Sequence, residues 1–241
     1  MAAMILSLEN VSKAFGALKV TDAVTFAVPR GEALGIIGPN GAGKSTLFNL
    51  ITGNLLPNAG RIEFLGRDVT RLPAMERVRM GIGRSFQIPQ PFEGLTVFEN
   101  LLTAAAFGRG RREAELVDDC ARILDETELL RKANVVAGAL SLLDRKRLEL
   151  ARAMATGPEL LLLDEIAGGL TEGECKALVA TIRSIHAAGT TIIWIEHVLH
   201  ALTSVVERVL VLDFGRVIGL GAPDAIMASK EVREIYLGLE V

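Results

Sequence analysis

Apolar and polar positions alternate from Met4 to Val28, most clearly in Val20-Thr21-Asp22-Ala23-Val24-Thr25-Phe26-Ala27-Val28, where β-branched residues are frequent. That period of two predicts a small N-terminal sheet with one buried face. The run Ala33-Leu34-Gly35-Ile36-Ile37 lacks alternation and reads as a strand buried on both sides, and Leu47-Phe48-Asn49-Leu50-Ile51 reads as an amphipathic helix. Gly53, Pro57 and Asn58-Ala59-Gly60 then turn the chain into another short strand, Arg61-Ile62-Glu63-Phe64-Leu65, ended by Gly66. Between Pro91 and about Gly157 the period lengthens to that of helices, as in Glu113 to Leu130 and Arg145 to Ala155, and no strand pattern occurs. An inserted helical subdomain over 91–155 is expected, dividing a core made of 1–90 and 156–241. Strand patterns return in Glu159-Leu160-Leu161-Leu162-Leu163-Asp164, Thr190-Thr191-Ile192-Ile193-Trp194-Ile195 and Arg208-Val209-Leu210-Val211-Leu212. A helix from about Glu172 to Ala188 separates the first two, and strand, helix, strand implies a parallel sheet.

Composition narrows the classes. Half of the 241 residues are apolar, yet no apolar stretch approaches the ~18 to 20 residues that cross a bilayer. The apolar excess is expected in a core, with any remainder at a contact surface such as the face of a membrane-embedded partner. Met1-Ala2-Ala3-Met4-Ile5-Leu6-Ser7 has neither the basic flank nor the long apolar run of a secretion signal, so a cytosolic chain is expected. The formal charge of −3 argues against a partner as anionic as nucleic acid. Cys120 and Cys175 lie far apart, without Cys or His at metal-ligand spacing, and read as buried thiols in helices. The cluster Arg109, Arg111, Arg112 reads as a solvated loop.

The candidate chemistry begins directly after the buried run at Ala33 to Ile37. Gly38-Pro39-Asn40-Gly41-Ala42-Gly43-Lys44-Ser45-Thr46 fits the phosphate-binding loop G-x-x-x-x-G-K-[ST] at every fixed position. Glycine lets the backbone NH groups of such a loop point inward at phosphate oxygens. The following helix N-terminus adds its dipole, Lys44 adds a full charge, and the Ser45 hydroxyl can ligate Mg²⁺. A second element supports the first. Leu160 to Leu163 ends in Asp164-Glu165, placing two carboxylates at the carboxyl end of a strand, where ligands of open α/β sheets bind. Asp164 is expected to hold Mg²⁺ opposite Ser45, and Glu165 to polarise the water that attacks the γ-phosphate. A strand-end Asp-Glu can also serve only as a helix cap.

With these motifs in order across nearly the entire chain, the sequence resembles the ATP-binding cassette (ABC) family of ATPases. The resemblance implies an α/β fold: a P-loop NTPase (RecA-like) core with an N-terminal antiparallel β subdomain and an inserted α-helical subdomain. Gln87, in Gly83-Arg84-Ser85-Phe86-Gln87, looks like the family's glutamine loop, which contacts Mg²⁺ and the attacking water. Phe15 stands where the family stacks an aromatic ring on adenine, with Val20 an apolar neighbour, an interaction of about 1 to 3 kcal/mol; core packing is the rival reading, and the turn expected at Gly16 favours stacking. His197 matches the switch histidine that contacts the γ-phosphate beside Glu165. Ala167-Gly168-Gly169-Leu170-Thr171 occupies the place of the D-loop, with Thr171 where Asp or Asn is usual.

The largest departure is in Leu140-Ser141-Leu142-Leu143-Asp144-Arg145-Lys146-Arg147-Leu148-Glu149-Leu150-Ala151-Arg152-Ala153, which matches the frame of the family signature L-S-G-G-Q but has Leu142, Leu143 and Asp144 for both glycines and the glutamine. Ser141 is kept, and the resemblance implies that it faces the γ-phosphate of ATP on an opposing subunit. Any left-handed backbone at the leucines would cost roughly 1 to 2 kcal/mol.

Leu95-Thr96-Val97-Phe98-Glu99-Asn100-Leu101, the segments around Phe15, Gln87 and Arg147, and Ile235-Tyr236-Leu237-Gly238 are similar to ATPases of branched-chain amino acid importers and their urea or amide relatives. That similarity implies ATP and Mg²⁺ as cofactors, transmembrane permease subunits whose coupling helix is received in the region of Leu95 to Leu101, a separate solute-binding protein, and peripheral attachment to the cytoplasmic face of the inner (plasma) membrane. It also implies a dimer, with a heterodimer favoured over a homodimer because the altered signature covers the partner's ATP. A soluble ABC factor usually carries two cassettes or long insertions. A small-molecule P-loop kinase would need an acceptor lid and has no use for Gln87, Ser141 and His197 together.

Overall fold

A computed structural model describes residues 3–237; Met1, Ala2 and 238–241, including Gly238 of the terminal motif, lie outside the described residues. The chain opens with a long hairpin, β1 (Met4–Phe15) and β2 (Leu18–Pro29), followed by β3 (Ala33–Ile37), α1 (Lys44–Thr52), β4 (Ala59–Phe64) and β5 (Arg67–Asp68). Then come α2 (Ala74–Met80), β6 (Ile82–Arg84), α3 (Val97–Arg109), α4 (Val117–Glu126), α5 (Leu142–Ala155), β7 (Leu160–Asp164) and α6 (Glu172–Ala187). The chain continues through β8 (Thr191–Ile195), α7 (Leu199–Thr203), β9 (Arg208–Asp213), β10 (Arg216–Gly221), α8 (Pro223–Ala228) and α9 (Lys230–Leu237). It divides into two compact units, Met1–Ala74 with Thr191–Val241, and Met75–Thr190.

In the first unit, β2-β1-β4-β5 form the antiparallel sheet that the alternation predicts. Leu6, Leu8 and Val11 pair with Val28, Phe26 and Val24, and all six side chains are buried. Register is fixed by this pairing, because a one-residue slip would turn the whole set toward water. A second group of strands runs β10-β9-β3-β8, with β3 parallel to both β8 and β9, and β10 antiparallel to β9. β3 and β8 are buried at every position, which explains their unbroken apolar runs. β10 was not expected; Gly219 and Gly221 interrupt its apolar pattern. β5, after Gly66, was likewise not expected.

In the second unit, β6 and β7 pair in parallel, with Arg84 opposite Leu162. The helices pack through Val97, Leu101 and Ala105 of α3, Cys120, Ile123 and Leu124 of α4, and Leu148, Ala151 and Ala155 of α5, a continuous buried cluster. Three- and four-residue steps place these side chains on one stripe of each helix. The long period from Glu113 to Leu130 does not form one helix. A 3-10 turn occupies Glu113–Glu115, and α4 ends where the Thr127 hydroxyl donates to Ile123 O (2.7 Å) and Glu128 turns left-handed at φ 58°. The Leu129 amide then closes onto Leu124 O at 2.7 Å, satisfying a terminal carbonyl. Both cysteines are buried thiols outside any disulfide, and burial pushes the Cys120 thiol up, away from reactivity. Arg109 departs from its solvated-loop reading: it ends α3 and turns inward to Ala155 O (2.8 Å) and Asp119 (2.6 Å).

Helix starts follow a local rule. Thr96 caps α3 by accepting from the Glu99 amide (3.2 Å), and the Glu99 carboxylate accepts from the Thr96 amide (2.7 Å). Thr171 and Glu174 form the same box at α6, which gives the D-loop threonine a structural role. Thr96→Ala is expected to cost about 1 kcal/mol; an unchanged urea midpoint at unchanged slope would contradict the cap.

Candidate functional site

In the first unit, β3 delivers the chain into the loop 38–43, and α1 starts at Lys44, so Lys44, Ser45 and Thr46 form its first turn. The first amides of a helix have no acceptor within it, which makes such a turn suited to an anion. Two glycines are dictated by close approach. A Cβ at Gly38 would stand 2.1 Å from Leu212 O, and one at Gly43 (φ 100°) would stand 2.5 Å from Val20 O. Lys44 is buried, its ammonium donating to Gly38 O (2.7 Å) and Pro39 O (3.0 Å), so a full positive charge lies over the loop. Asn40, Gly41 and Pro39 form the loop's outer turn, and the Ala42 carbonyl accepts from the Gly215 amide at 3.0 Å.

That last bond ties the loop to the β9–β10 turn, a support the sequence reading missed. Phe214-Gly215 is a two-residue hairpin connection with both residues at positive φ, 40° and 75°, a conformation that favours Asn-Gly or Asp-Gly; the bulky Phe214 masked the signal. Val20 lies against this arrangement, its carbonyl facing both Gly43 and Gly215. Phe15 ends β1 beside the Gly16 turn; it is half exposed, with the Lys13 ammonium 5.4 Å from its ring centre. β8 pairs with β3 through Ile195 and Ile36, so His197 and the phosphate-binding loop leave their strands at the same end. Glu196, itself buried, accepts from the amides of His197 (2.8 Å) and Val198 (3.2 Å), which fixes the turn carrying the exposed imidazole. His186, on α6, lies 3.2 Å from Thr190 O through Nδ1, and His200 is exposed on α7.

In the second unit, Gln87, Asp164 and Glu165 come together. The Gln87 side-chain amide donates to Glu165 Oε2 at 2.5 Å. Glu165 adopts φ 45°, a left-handed conformation that is strained for a residue with a side chain and is often found at functional sites. Asp164 closes β7, and its carboxylate accepts from Arg84 Nη2 at 2.7 Å in a buried ion pair. Arg84 was not anticipated, since nothing local marks a charged residue at the end of a three-residue strand as an ion-pair partner. Its guanidinium also lies 4.9 Å from the Phe86 ring centre. The Asp164 carboxylate offers oxygens, the hard donors that magnesium takes, as does the Ser45 hydroxyl of the first unit taken by itself.

Ser141 caps α5, its hydroxyl accepting from the Asp144 amide (3.3 Å) and donating to the Asp144 carboxylate (2.7 Å). Lys132 also pairs with Asp144. Burial pushes the Asp144 carboxyl up, but Lys132, Ser141 and Arg147 outweigh it and hold it below the usual carboxylate range. The expected backbone penalty at the leucines does not arise. Leu142 and Leu143 form the first turn of a regular helix, and neither appears at positive φ. What changes is bulk and charge: Leu142 is half exposed, and the carboxylate of Asp144 engages the signature serine.

The glycine-rich loop between a buried strand and a helix, with a strand-end carboxylate pair, defines a nucleotide-binding P-loop protein. The ABC transporter family profile matches residues 21–168. The branched-chain amino acid transport ATP-binding protein LivG of Salmonella typhimurium is 36% identical over 99% of both chains. LivG of Methanocaldococcus jannaschii is 34% identical over 97% of both. A solved ATP-binding cassette in its ADP conformation superposes with a TM-score of 0.90 at 34% identity, covering 98% of this chain and 99% of that one. The chain belongs to the ABC transporter family, and it has that family's ATPase fold. ABC ATPases bind nucleotide, as the ADP conformation of that solved cassette shows.

Arg84→Met would leave Asp164 charged and buried without its guanidinium. Breaking such a pair costs about 3 to 5 kcal/mol, so a large fall in the urea midpoint is expected; a change below ~1 kcal/mol, the worth of an exposed pair, would contradict it.

Proposed function

We propose that this chain is the ATP-hydrolysing subunit of an importer of the branched-chain amino acid type, working as a dimer on the cytoplasmic face of the inner (plasma) membrane. The observation that carries the hydrolytic role is the strained Glu165, next to Asp164 and hydrogen-bonded by Gln87. The amides of 38–46 and the Lys44 ammonium take the phosphates, and Phe15 with Val20 receives adenine. Ser45, Asp164 and Gln87 would hold Mg²⁺, which would supply neutralisation of the charge that develops on the phosphoryl oxygens. Glu165 accepts a proton from the attacking water, while Gln87 and His197 orient that water and donate toward the γ-phosphate. The helical insertion, 91–155, rotates against the core when the γ-phosphate recruits these donors.

Among the described residues no helix is long and apolar enough to cross a membrane; the attachment in this reading is through the permease. Leu95 to Leu101 was expected to receive it, but Val97 and Leu101 are fully buried in the helical core. The exposed apolar side chains lie just before, at Phe86, Ile88 and Phe92, and these form the docking surface. A separate solute-binding protein supplies the solute, in keeping with the similarity to importer ATPases such as LivG.

Glu165→Gln should retain nucleotide binding and lose ~10² to 10⁴ in turnover, since the amide is nearly isosteric but cannot accept the proton. Equal steady-state ATPase rates for the two proteins would remove Glu165 from this role.

The signature supports a heterodimer. An opposing γ-phosphate would meet a serine already engaged by Asp144, plus a carboxylate in place of a neutral amide. The partner ATPase therefore supplies the competent signature for this chain's own Lys44 and Glu165, giving one strong and one weak centre. When the catalytic glutamate of each subunit is replaced in turn in the reconstituted transporter, turnover should fall much further for Glu165 than for its counterpart. Equal losses would rule out the asymmetry.

A further inference from the structure

The segment after β6 changes its attachment within one peptide bond. Ser85 is fully buried and belongs to β7: its amide donates to Leu162 O at 2.9 Å, and its hydroxyl accepts from the Asp164 amide at 3.3 Å. From Phe86 to Gln90 the main chain is held instead by side chains of α5. Lys146, buried, donates to Gln87 O at 2.8 Å and reaches Glu165 O at 3.5 Å. Glu149, also buried, accepts from the amides of Phe86 (3.2 Å) and Gln90. Arg152 donates to Gln90 O at 2.8 Å, bonds Glu149 at 3.1 Å, and places its guanidinium 5.3 Å from the Phe92 ring centre.

The three residues are spaced by three along α5, which sets them in one row. Their charges match what each must grip: cation to carbonyl, carboxylate to amides, cation to carbonyl. Hydrogen bonds to charged groups are the strong ones, and removing one partner leaves a buried group unsatisfied. Three such contacts along a five-residue segment hold it far more firmly to α5 than a packed apolar face would, because its register on the helix is specified.

We propose that Lys146, Glu149 and Arg152 are positioning residues that hold the main chain of 86–90, and with it Gln87, in one register on the signature helix. This rests on the reading of Gln87 as a γ-phosphate and water contact. It makes the amide's approach to the reacting centre a consequence of where α5 stands, and it places exposed Phe86 and Ile88 on the same held segment.

The test combines amide exchange on the full-length chain with turnover of the reconstituted transporter. In Glu149→Ala the amides of Phe86 and Gln90 should exchange at least about tenfold faster, the effect of one lost charge-assisted bond, while Ser85, held by Leu162, stays unchanged. Turnover should fall about 10- to 100-fold, as for a displaced catalytic group, with KM for ATP unchanged; Glu149→Gln, which keeps a carbonyl acceptor, should recover most of both. Arg152→Gln, at the partly exposed end of the row, is the milder variant and should accelerate Gln90 more than Phe86. If Phe86 and Gln90 are not accelerated, or if Ser85 accelerates with them as in general loosening, the clamp is overturned. Unchanged turnover in Glu149→Ala, while Gln87→Ala is impaired, overturns the positioning role. Unchanged turnover in Gln87→Ala itself overturns the reading of Gln87, with the exchange pattern still deciding whether the clamp exists.

Discussion

A carboxylate closes the all-buried strand β7, and the need to keep that charge paired organises the second unit. Asp164 could not sit at the end of four buried leucines without a counter-charge, since an isolated ion there would lose most of its hydration. Arg84 supplies it from the neighbouring strand, which requires β6 to run parallel to β7 in one register. The next residues inherit that geometry: Ser85 completes the strand contact, and Gln87 arrives at Glu165. The site therefore depends on an ion pair that links two short strands far apart in sequence.

The phosphate-binding loop obeys a different constraint, one of space. Its outer turn is open, but Gly38 and Gly43 stand against the backbone of β9 and β2, where a single methyl would collide with a carbonyl oxygen. The loop is thereby held from behind by main chain, while the β9–β10 turn braces it through Ala42. Rigid support of this kind lets NH groups stay pointed at an anion without reorganising when it binds.

Charged side chains on α5 do unlike jobs at its two ends. Asp144, near the start, binds its own cap serine and Lys132, so charge is spent locally and the helix end presents bulk rather than flexible glycine. From Lys146 to Arg152 the charges are turned on another segment's main chain. Burial raises the Glu149 carboxyl, with Arg152 and the amides of Phe86 and Gln90 opposing it. One helix thus joins the altered signature to the segment that bears Gln87.

Local chemistry made much of this legible. The loop 38–46, the buried runs of β3, β7 and β8 and the carboxylate pair Asp164-Glu165 are each written in a few adjacent residues, because backbone conformation and period are decided there. The helical period of α5 was legible for the same reason. Other features depend on distant partners. Arg84 looks like any strand-end arginine until β7 pairs with β6, Val97 and Leu101 look like a docking surface until α4 and α5 cover them, and Glu149 looks like a solvated helix charge until Phe86 and Gln90 turn their amides toward it. The sequence by itself determined which segments form strands, helices and the anion-binding turn, since those follow from neighbours along the chain; only the tertiary structure decided which charges are paired, which apolar residues stay exposed and which loop a helix carries, since those depend on what burial brings together.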